Sequence, residues 1–597
     1  MGNSAGDSGQ GLDLSRRQFL TLAGSAAAVP LLGSSLIGAV EAQAQEASAP
    51  VRGPARGRHN ILFVFTDQER YFQRWPDGLT LPGHERLKRT GVTFTNHYCP
   101  AAMCTSSRSV LLTGLQTPDT GMFDNADLPF QKPLSTDIPT IGHMLRKAGY
   151  YAAYKGKWHL NHDFDTSQPD HLFTKEMEPY GFSDFVCPGD VVGHTLGGYE
   201  FDQLIGGSAI AWLRRRGRPL SDEGNPWALF VSLVNPHDIM YFNTDAPGQQ
   251  VQDTGRLLMH AARTPEHEFF RKSWDVPLPG SLTQPVGAPG RPGAHAEYLK
   301  TWGYVLGEIP PEEVRWRRFT DFYINSIRLA DLQIAGILAE LDALGLAENT
   351  IVVFTADHGE MGGAHGLRGK GPFAYQEAIH LPFYVVHPDV KGNQECRALT
   401  GHIDMVPTLL AMAGVGSGRI GELAGRELAG KDITSLLSDP GRADLHALRD
   451  AVLYTYSSLS TNDSDFGRIL AEAKATRRDP KEVMRASGYK PDLKKRGSVR
   501  TVFDGRYKFC RYFAPTERNR PQSIGDIYQR NDAELFDLEK DPSEMTNLAA
   551  DRNANADLVL AMSGKLEAII KAEIGVDDGR EMPKAEGVDW SVDRMDL

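Results

Sequence analysis

Three apolar runs in this 597-residue chain each stop at a polar tip, and no other feature constrains the fold as tightly. Ile61-Leu62-Phe63-Val64-Phe65-Thr66 stops at Asp67-Gln68. Trp227 to Val234 stops at Asn235-Pro236-His237. Thr350 to Ala356 stops at Asp357-His358-Gly359, and a fourth run, Leu381 to Val386, follows Glu377. Apolar runs of this length without polar alternation read as strands buried on both faces. Helical patterns lie between them: Ile138 to Ala148, and the longest, Phe322 to Leu344. Buried strands separated by helices predict an α/β fold, with a large, mostly parallel central sheet flanked by helices. In such sheets ligands sit beyond the carboxyl ends of the strands, so the polar tips are expected to converge on one site.

The texture changes near residue 445. Val499 to Phe503, the turn Asp504-Gly505 and Tyr507 to Tyr512 read as a β-hairpin. Glu534 to Asp537 reads as a further strand and Asn555 to Glu573 as a closing helix. The expected organisation is a catalytic domain over 59–445 and a smaller α+β subdomain over 446–597. The Pro/Gly-rich segment 240–315 reads as an irregular insertion. Together with the polar stretch 457–497 it is expected at the mouth of the site. Trp274, Tyr298, Trp302 and Tyr304 there read as a small local core, with stacking on a sugar or aryl ring as the alternative.

The net charge of −12, from 64 basic and 76 acidic residues, argues against a nucleic-acid partner. Ser15-Arg16-Arg17-Gln18-Phe19-Leu20 precedes a mild Ala/Gly/Ser-rich apolar stretch ending near Ala42-Gln43-Ala44. That reads as a twin-arginine export signal over 1–44, followed by a linker over 45–58. The expected location is periplasmic or secreted, with the twin-arginine translocase as a partner and no stable membrane insertion. Five cysteines (99, 104, 187, 396 and 510) are too sparse and odd in number for a disulfide framework. Cys104 is the candidate left over.

Asp67, Gln68, Asp357 and His358 form two pairs of possible metal ligands at strand ends. Carboxylate and amide oxygens suit a hard divalent cation, and histidine widens the choice toward manganese or zinc. Either pair alone has a plain reading as a turn or helix cap. Lys157, His159, His237 and Lys370 add cationic or protonatable groups after other elements. Together they describe a pocket for a tetrahedral oxyanion beside one odd cysteine.

These residues carry a family resemblance. Cys104-Thr105-Ser106-Ser107-Arg108, closing at Thr113-Gly114, resembles the signature of the sulfatases of the alkaline-phosphatase superfamily. Gly156-Lys157-Trp158-His159, Asp357-His358-Gly359-Glu360, Gly366 to Lys370, Glu377 and His402 to Thr408 follow in the family's order. Glu534 to Leu548 is similar to its C-terminal motif. The resemblance implies a sulfuric ester hydrolase acting on a small-molecule or glycan sulfate ester. A separate formylglycine-generating maturation enzyme would oxidise Cys104 to formylglycine, whose hydrate is the nucleophile. Arg108 would hold the hydrate, Lys157 and Lys370 would neutralise sulfate, His159 would serve as base, and His237 would assist the leaving oxygen. Asn125 resembles a substrate-contacting asparagine.

Two features depart from the common pattern. Ser106 stands where many relatives have proline. The ligand set Asp-Gln with Asp-His resembles that of choline-sulfatase-like enzymes and phosphonate monoester hydrolases. Calcium is the first expectation for the cation and manganese the runner-up. A phosphonate monoester or phosphodiester hydrolase, and an unmatured protein that binds sulfated glycans, stay open as alternatives.

Overall fold

In the computed structural model, the described residues are 58–582, apart from 129, 163, 165–172, 187–188 and 191–193. The 1–44 signal, nearly all of the linker, and Cys187 lie outside them. Among the described residues no helix is long and apolar enough to cross a membrane.

Seven strands build the central sheet: β1 (Asn60–Asp67), β2 (Val92–Phe94), β3 (Tyr151–Gly156), β4 (Trp227–Pro236), β5 (Thr350–Ala356), β6 (Phe383–Val386) and β7 (Gln394–Cys396). Their order across the sheet is β3-β4-β1-β5-β6-β2-β7. Every residue of β1, β4 and β5 is buried, which is why their sequences carry no polar alternation. The four strands β3, β4, β1 and β5 run parallel. β6 is antiparallel to both of its neighbours, so the fourth apolar run is a reversed strand within a mostly parallel sheet. A strand of four apolar residues, three of them buried, looks the same in either direction, and only the chain path decides.

The longest helix, Glu313–Ala343, starts nine residues before the apolar pattern that announces it. Its first turns bury Trp316 and Phe319 and are also tied by charge, Arg315 to Asp245 at 2.6 Å and Arg317 to Glu313 at 2.6 Å. The predicted irregular segments also contain helices, Gly293–Leu306 in one and Ser464–Thr476 and Pro480–Ser487 in the other. Asp463 caps the second of these by accepting from the Asp465 amide.

A four-stranded antiparallel sheet forms the smaller C-terminal domain: β8 (Val452–Tyr456), β9 (Ser498–Phe503), β10 (Tyr507–Phe513) and β11 (Asp532–Asp537). The predicted hairpin is β9–β10, paired from Ser498 with Phe513 to Phe503 with Lys508. Val502, Phe509 and Leu535 on one face pack against Val559, Met562 and Leu566 of the helix Ala556–Glu573.

The other face holds Glu534. Its carboxylate accepts from Tyr375 Oη at 2.9 Å and Tyr512 Oη at 2.7 Å, and His295 Nε2 lies 3.1 Å from the same Tyr512 oxygen. Burial pushes the Glu534 carboxyl up to about 7, against the pull of the two tyrosines and Arg291, with Glu544 adding to the rise. The folded chain therefore keeps this proton between about pH 4.5 and 7, where the unfolded chain has lost it. Stability from this group is present below that window and is lost as pH rises through it, by about 3 kcal/mol at most. Glu534→Gln is expected to shrink the fall in unfolding midpoint between pH 5 and pH 8. An undiminished fall in the variant would contradict this origin.

Candidate active site

The site is assembled by the sheet's parallel half. Asp67 ends β1, and Thr66 pairs with Ala356, so Asp357 sits beside it at the end of β5. On the other side Asp67 pairs with Pro236, which places His237 at the tip of β4. Lys157 follows β3 and donates its amide to Ser232 O at 3.1 Å. Gly156 turns there at φ 88°, and a Cβ on it would lie 2.0 Å from Ser232 O, so only glycine lets the Lys157 loop close on β4.

Cys104 opens the helix Cys104–Thr113, all ten residues of which are buried. Met103 before it is extended, and Gly114 at φ 71° ends the helix by donating its amide to Val110 O. The partial positive charge of the helix N-terminus therefore lies at residue 104. Around its Sγ stand Lys370 Nζ at 2.9 Å, His358 Nε2 at 3.2 Å, Asp67 Oδ1 at 3.6 Å and Lys157 Nζ at 3.9 Å. Burial and the Asp67 charge would raise this thiol, but Lys157, Lys370 and His358 hold it well below the ordinary range. Cys99, Cys396 and Cys510 are also free and buried, and burial pushes all three up. Position 104 is the one set apart.

Arg108 is fully buried one turn further along. Its Nη2 donates to Asp67 Oδ2 at 2.8 Å and its Nε to Asp357 Oδ2 at 2.9 Å. Its Nη1 donates to Lys157 O and to Ser232 Oγ, both at 2.8 Å. These bonds fit Arg108 to positioning the two carboxylates. Asp67 stays well below the usual carboxylate range, because Lys157, His237, Lys370 and Arg108 outweigh its burial. Asp357 is pushed upward by burial and by the charge on Asp67.

Three of the four expected ligands lie together with Cys104. One atom each from Asp67, Asp357, His358 and Cys104 lies within 4.8 Å of the others. His358 Nδ1 lies 3.0 Å from Gly359 O, which can only accept, so Nε2 is the nitrogen left for a cation. Gln68 Nε2 donates to Glu360 Oε2 at 2.5 Å, and this turns Gln68 Oε1 toward Lys370 Nζ at 2.9 Å. Two carboxylates, an amide oxygen and an imidazole nitrogen fit a divalent cation.

His159, at φ 58°, is held by Asp127 Oδ1 at 3.0 Å from Nε2, and Asp190 accepts from the amides of Trp158 and His159. Burial would lower His159, but the Asp127 hydrogen bond keeps it raised. His237 falls to about 4 through burial and the charge of Lys157, so it is neutral near pH 7. Buried polar atoms are nearly always paired, yet His159 Nδ1, His237 Nδ1 and Asn125 Oδ1 have no partner. Asn125 is placed by its neighbour Asp124. That buried carboxylate accepts from the amides of Asn125, Leu459 and Ser460 and from the hydroxyls of Ser458 and Ser460. Residues 458–460 of the polar stretch thus bond the carboxylate next to Asn125. Trp274 and Tyr298 are core residues: Trp274 Nε1 donates to Asn325, and the Tyr298 ring meets Phe373 edge-on. Tyr304 is exposed.

Sequence reasoning gave no role to Asp124, Asp127, Asp190, Ser232 or Glu360. Glu360 alone had a local signal, standing inside the Asp-His-Gly-Glu run. A cleft of about 1020 Å³ beside Tyr71, Tyr98 and His380 contains none of the expected site residues, so the strand tips and not cavity size locate the chemistry.

Residues 59–415 match the family model described as Sulfatase. The chain belongs to the sulfatase family. It is 26% identical over 386 residues to a choline-sulfatase of Rhizobium meliloti (strain 1021), a match covering 60% of this chain and 68% of that one. It is 25% identical over 431 residues to an N-acetylglucosamine-6-O-sulfatase of Bacteroides thetaiotaomicron, covering 65% and 72%. A solved phosphonate monoester hydrolase from Silicibacter pomeroyi has the same fold, with a TM-score of 0.58 and 19% identity over 87% of this chain and 96% of that one. This sulfatase is therefore a hydrolase with a candidate metal centre at its strand tips.

Arg108→Lys tests the centre. One ammonium group cannot reach both carboxylates and the two neutral acceptors. The variant is expected to lose about 3 kcal/mol in denaturant unfolding and about 10–100-fold in divalent-cation affinity by calorimetry. Wild-type cation affinity in this variant would show that Arg108 does not organise the ligands.

Proposed function

We propose that this chain hydrolyses sulfate monoesters, using an aldehyde side chain made from Cys104 and one divalent cation held at the strand tips. The observation that carries the reading is the convergence of Lys157, Lys370, His358 and Asp67 on the Cys104 side chain at the N-terminus of a buried helix.

A hydrated aldehyde at residue 104 supplies two hydroxyls on one carbon, one to attack sulfur and one whose deprotonation releases sulfate. A cation held by Asp67, Gln68, Asp357 and His358 would lower the pKa of the attacking hydroxyl and gather the sulfate oxygens. Lys157 and Lys370 flank the same point and neutralise the sulfate charge. Neutral His237 offers a ring N–H as hydrogen-bond donor to the departing alcohol oxygen, and His159, oriented by Asp127, receives the proton of the second hydroxyl. Arg108 keeps Asp67 and Asp357 side by side, and Asn125 turns its unpaired Oδ1 to the substrate. Calcium is the proposed cation with manganese as the alternative, since a histidine nitrogen among the donors suits manganese. The thiol-to-aldehyde conversion is an oxidation assigned to a separate formylglycine-generating enzyme. The paired arginines at 16–17 support twin-arginine export and a periplasmic site of action.

A second reading keeps the scaffold and changes the ester. Gln68 and His358 among the ligands, and a pocket suited to one negative charge, favour a phosphonate monoester or phosphodiester as the alternative substrate. A binder of sulfated glycans would need no nucleophile at 104.

Intact-mass analysis of the peptide spanning Cys104, from natively produced protein, is expected to show the thiol exchanged for an aldehyde. An unmodified thiol would sink the nucleophile and favour the binder. Chelation is expected to abolish aryl-sulfate hydrolysis, with calcium or manganese restoring it. His237→Ala is expected to lower kcat by about 10²–10³-fold on an alkyl sulfate, whose leaving oxygen gathers more negative charge, and by less on a nitrophenyl sulfate. Equal losses on both would remove His237 from the leaving-group role. Faster turnover of a matched aryl phosphonate than of the aryl sulfate would select the second reading.

A further inference from the structure

Arg368 lies two residues before Lys370, is 6% exposed, and has no carboxylate partner among the described residues. Its Nη2 donates to Gly307 O at 3.0 Å and to Trp302 O at 3.4 Å, where the helix Gly293–Leu306 ends. Its Nη1 is buried and makes no hydrogen bond, and the same is true of Trp302 Nε1. The guanidinium lies 5.9 Å from the centre of the Trp302 ring. Glu360 is the carboxylate whose charge acts on it, but the Glu360 oxygens already accept from Gln68 Nε2 and from the amides of Gly362 and Gly369. Burial pulls Arg368 down to about 10, which still leaves it charged at neutral pH.

A buried cation with no carboxylate in ion-pair contact is costly, and an unpaired buried donor adds to that cost. Capping the helix end accounts for Nη2 alone. The unpaired donors belong to residues lining a recess of about 10 Å³, shared with Met240, Tyr298, Gly369 and Lys370. That volume takes about one oxygen atom. The recess adjoins the reaction centre, because Lys370 also touches Cys104 and Met240 follows His237 by three residues.

We infer that Arg368 and Trp302 recognise one oxygen of an anionic substituent, a carboxylate or a second sulfate, on the alcohol half of the ester. The inference rests on the sulfate-ester reading above and narrows its substrate to a doubly anionic one. Lys157 and Lys370 take the group that reacts, and Arg368 takes the group that orients the alcohol. A charge-assisted pair in a dry recess is worth far more than one in water.

The test uses matured, metal-loaded enzyme and three aryl sulfates that differ in one ring substituent: a carboxylate, a second sulfate, or a neutral carboxamide. The wild-type kcat/KM is expected to be at least about tenfold higher for an anionic ester than for the carboxamide. The anionic ester favoured identifies the group recognised. Arg368→Met is expected to bring the ratio close to one, and Arg368→Lys to restore part of it. A flat ratio in the wild type overturns the inference without any variant. So does a variant that loses all three esters in proportion, since that is what a purely structural clamp on 302–307 would give. No turnover of any ester by the wild type would overturn the parent reading, a result distinct from a flat ratio among cleaved esters.

Discussion

One guanidinium holds the reactive end of this molecule together. Arg108 reaches Asp67 at the end of β1, Asp357 after β5, the carbonyl of Lys157 after β3, and Ser232 in β4. These are four neighbouring strands of the sheet. Two buried carboxylates side by side repel, and each loses its hydration. Arg108 supplies the compensating charge and a planar fork that fixes their orientation. Without it, the ends of the parallel strands would carry charges with reason to turn apart.

The same centre shows how one residue type acquires different chemistry from its surroundings. Four cysteines among the described residues are buried and free, so burial cannot distinguish them. Cys104 differs because it starts a helix and faces two lysines and a histidine, whereas the Cys99 sulfur meets the carbonyl of Ala378 at 3.7 Å. Reactivity here is a property of what the strand tips bring to a side chain.

Much of this was legible in the chain itself. Fully buried strands write themselves as uninterrupted apolar runs, so β1, β4 and β5 and their polar tips could be read directly. The hairpin β9–β10 was marked by Asp504-Gly505. The direction of β6 was not legible, because pairing of a short two-faced strand is decided by distant partners. Nor was the start of the helix Glu313–Ala343, whose first turns bury Trp316 and Phe319 between charged residues that interrupt the apolar pattern and form ion pairs. Asp190 and Asp127 stand in stretches without pattern, and their partners lie 31 and 32 residues away. Arg108 was visible as a motif residue, but its bonds to four strands exist only once the sheet has formed.

The bonds of Asp124 have a consequence for where this protein can be cut. The family match ends at residue 415, yet a buried carboxylate inside it takes four hydrogen bonds from residues 458–460. A fragment trimmed to the matched region would keep every candidate ligand and base while leaving that carboxylate without its four donors from 458–460, the Asn125 amide remaining. The portion matched by the family model is thus smaller than the portion whose hydrogen bonds complete the site.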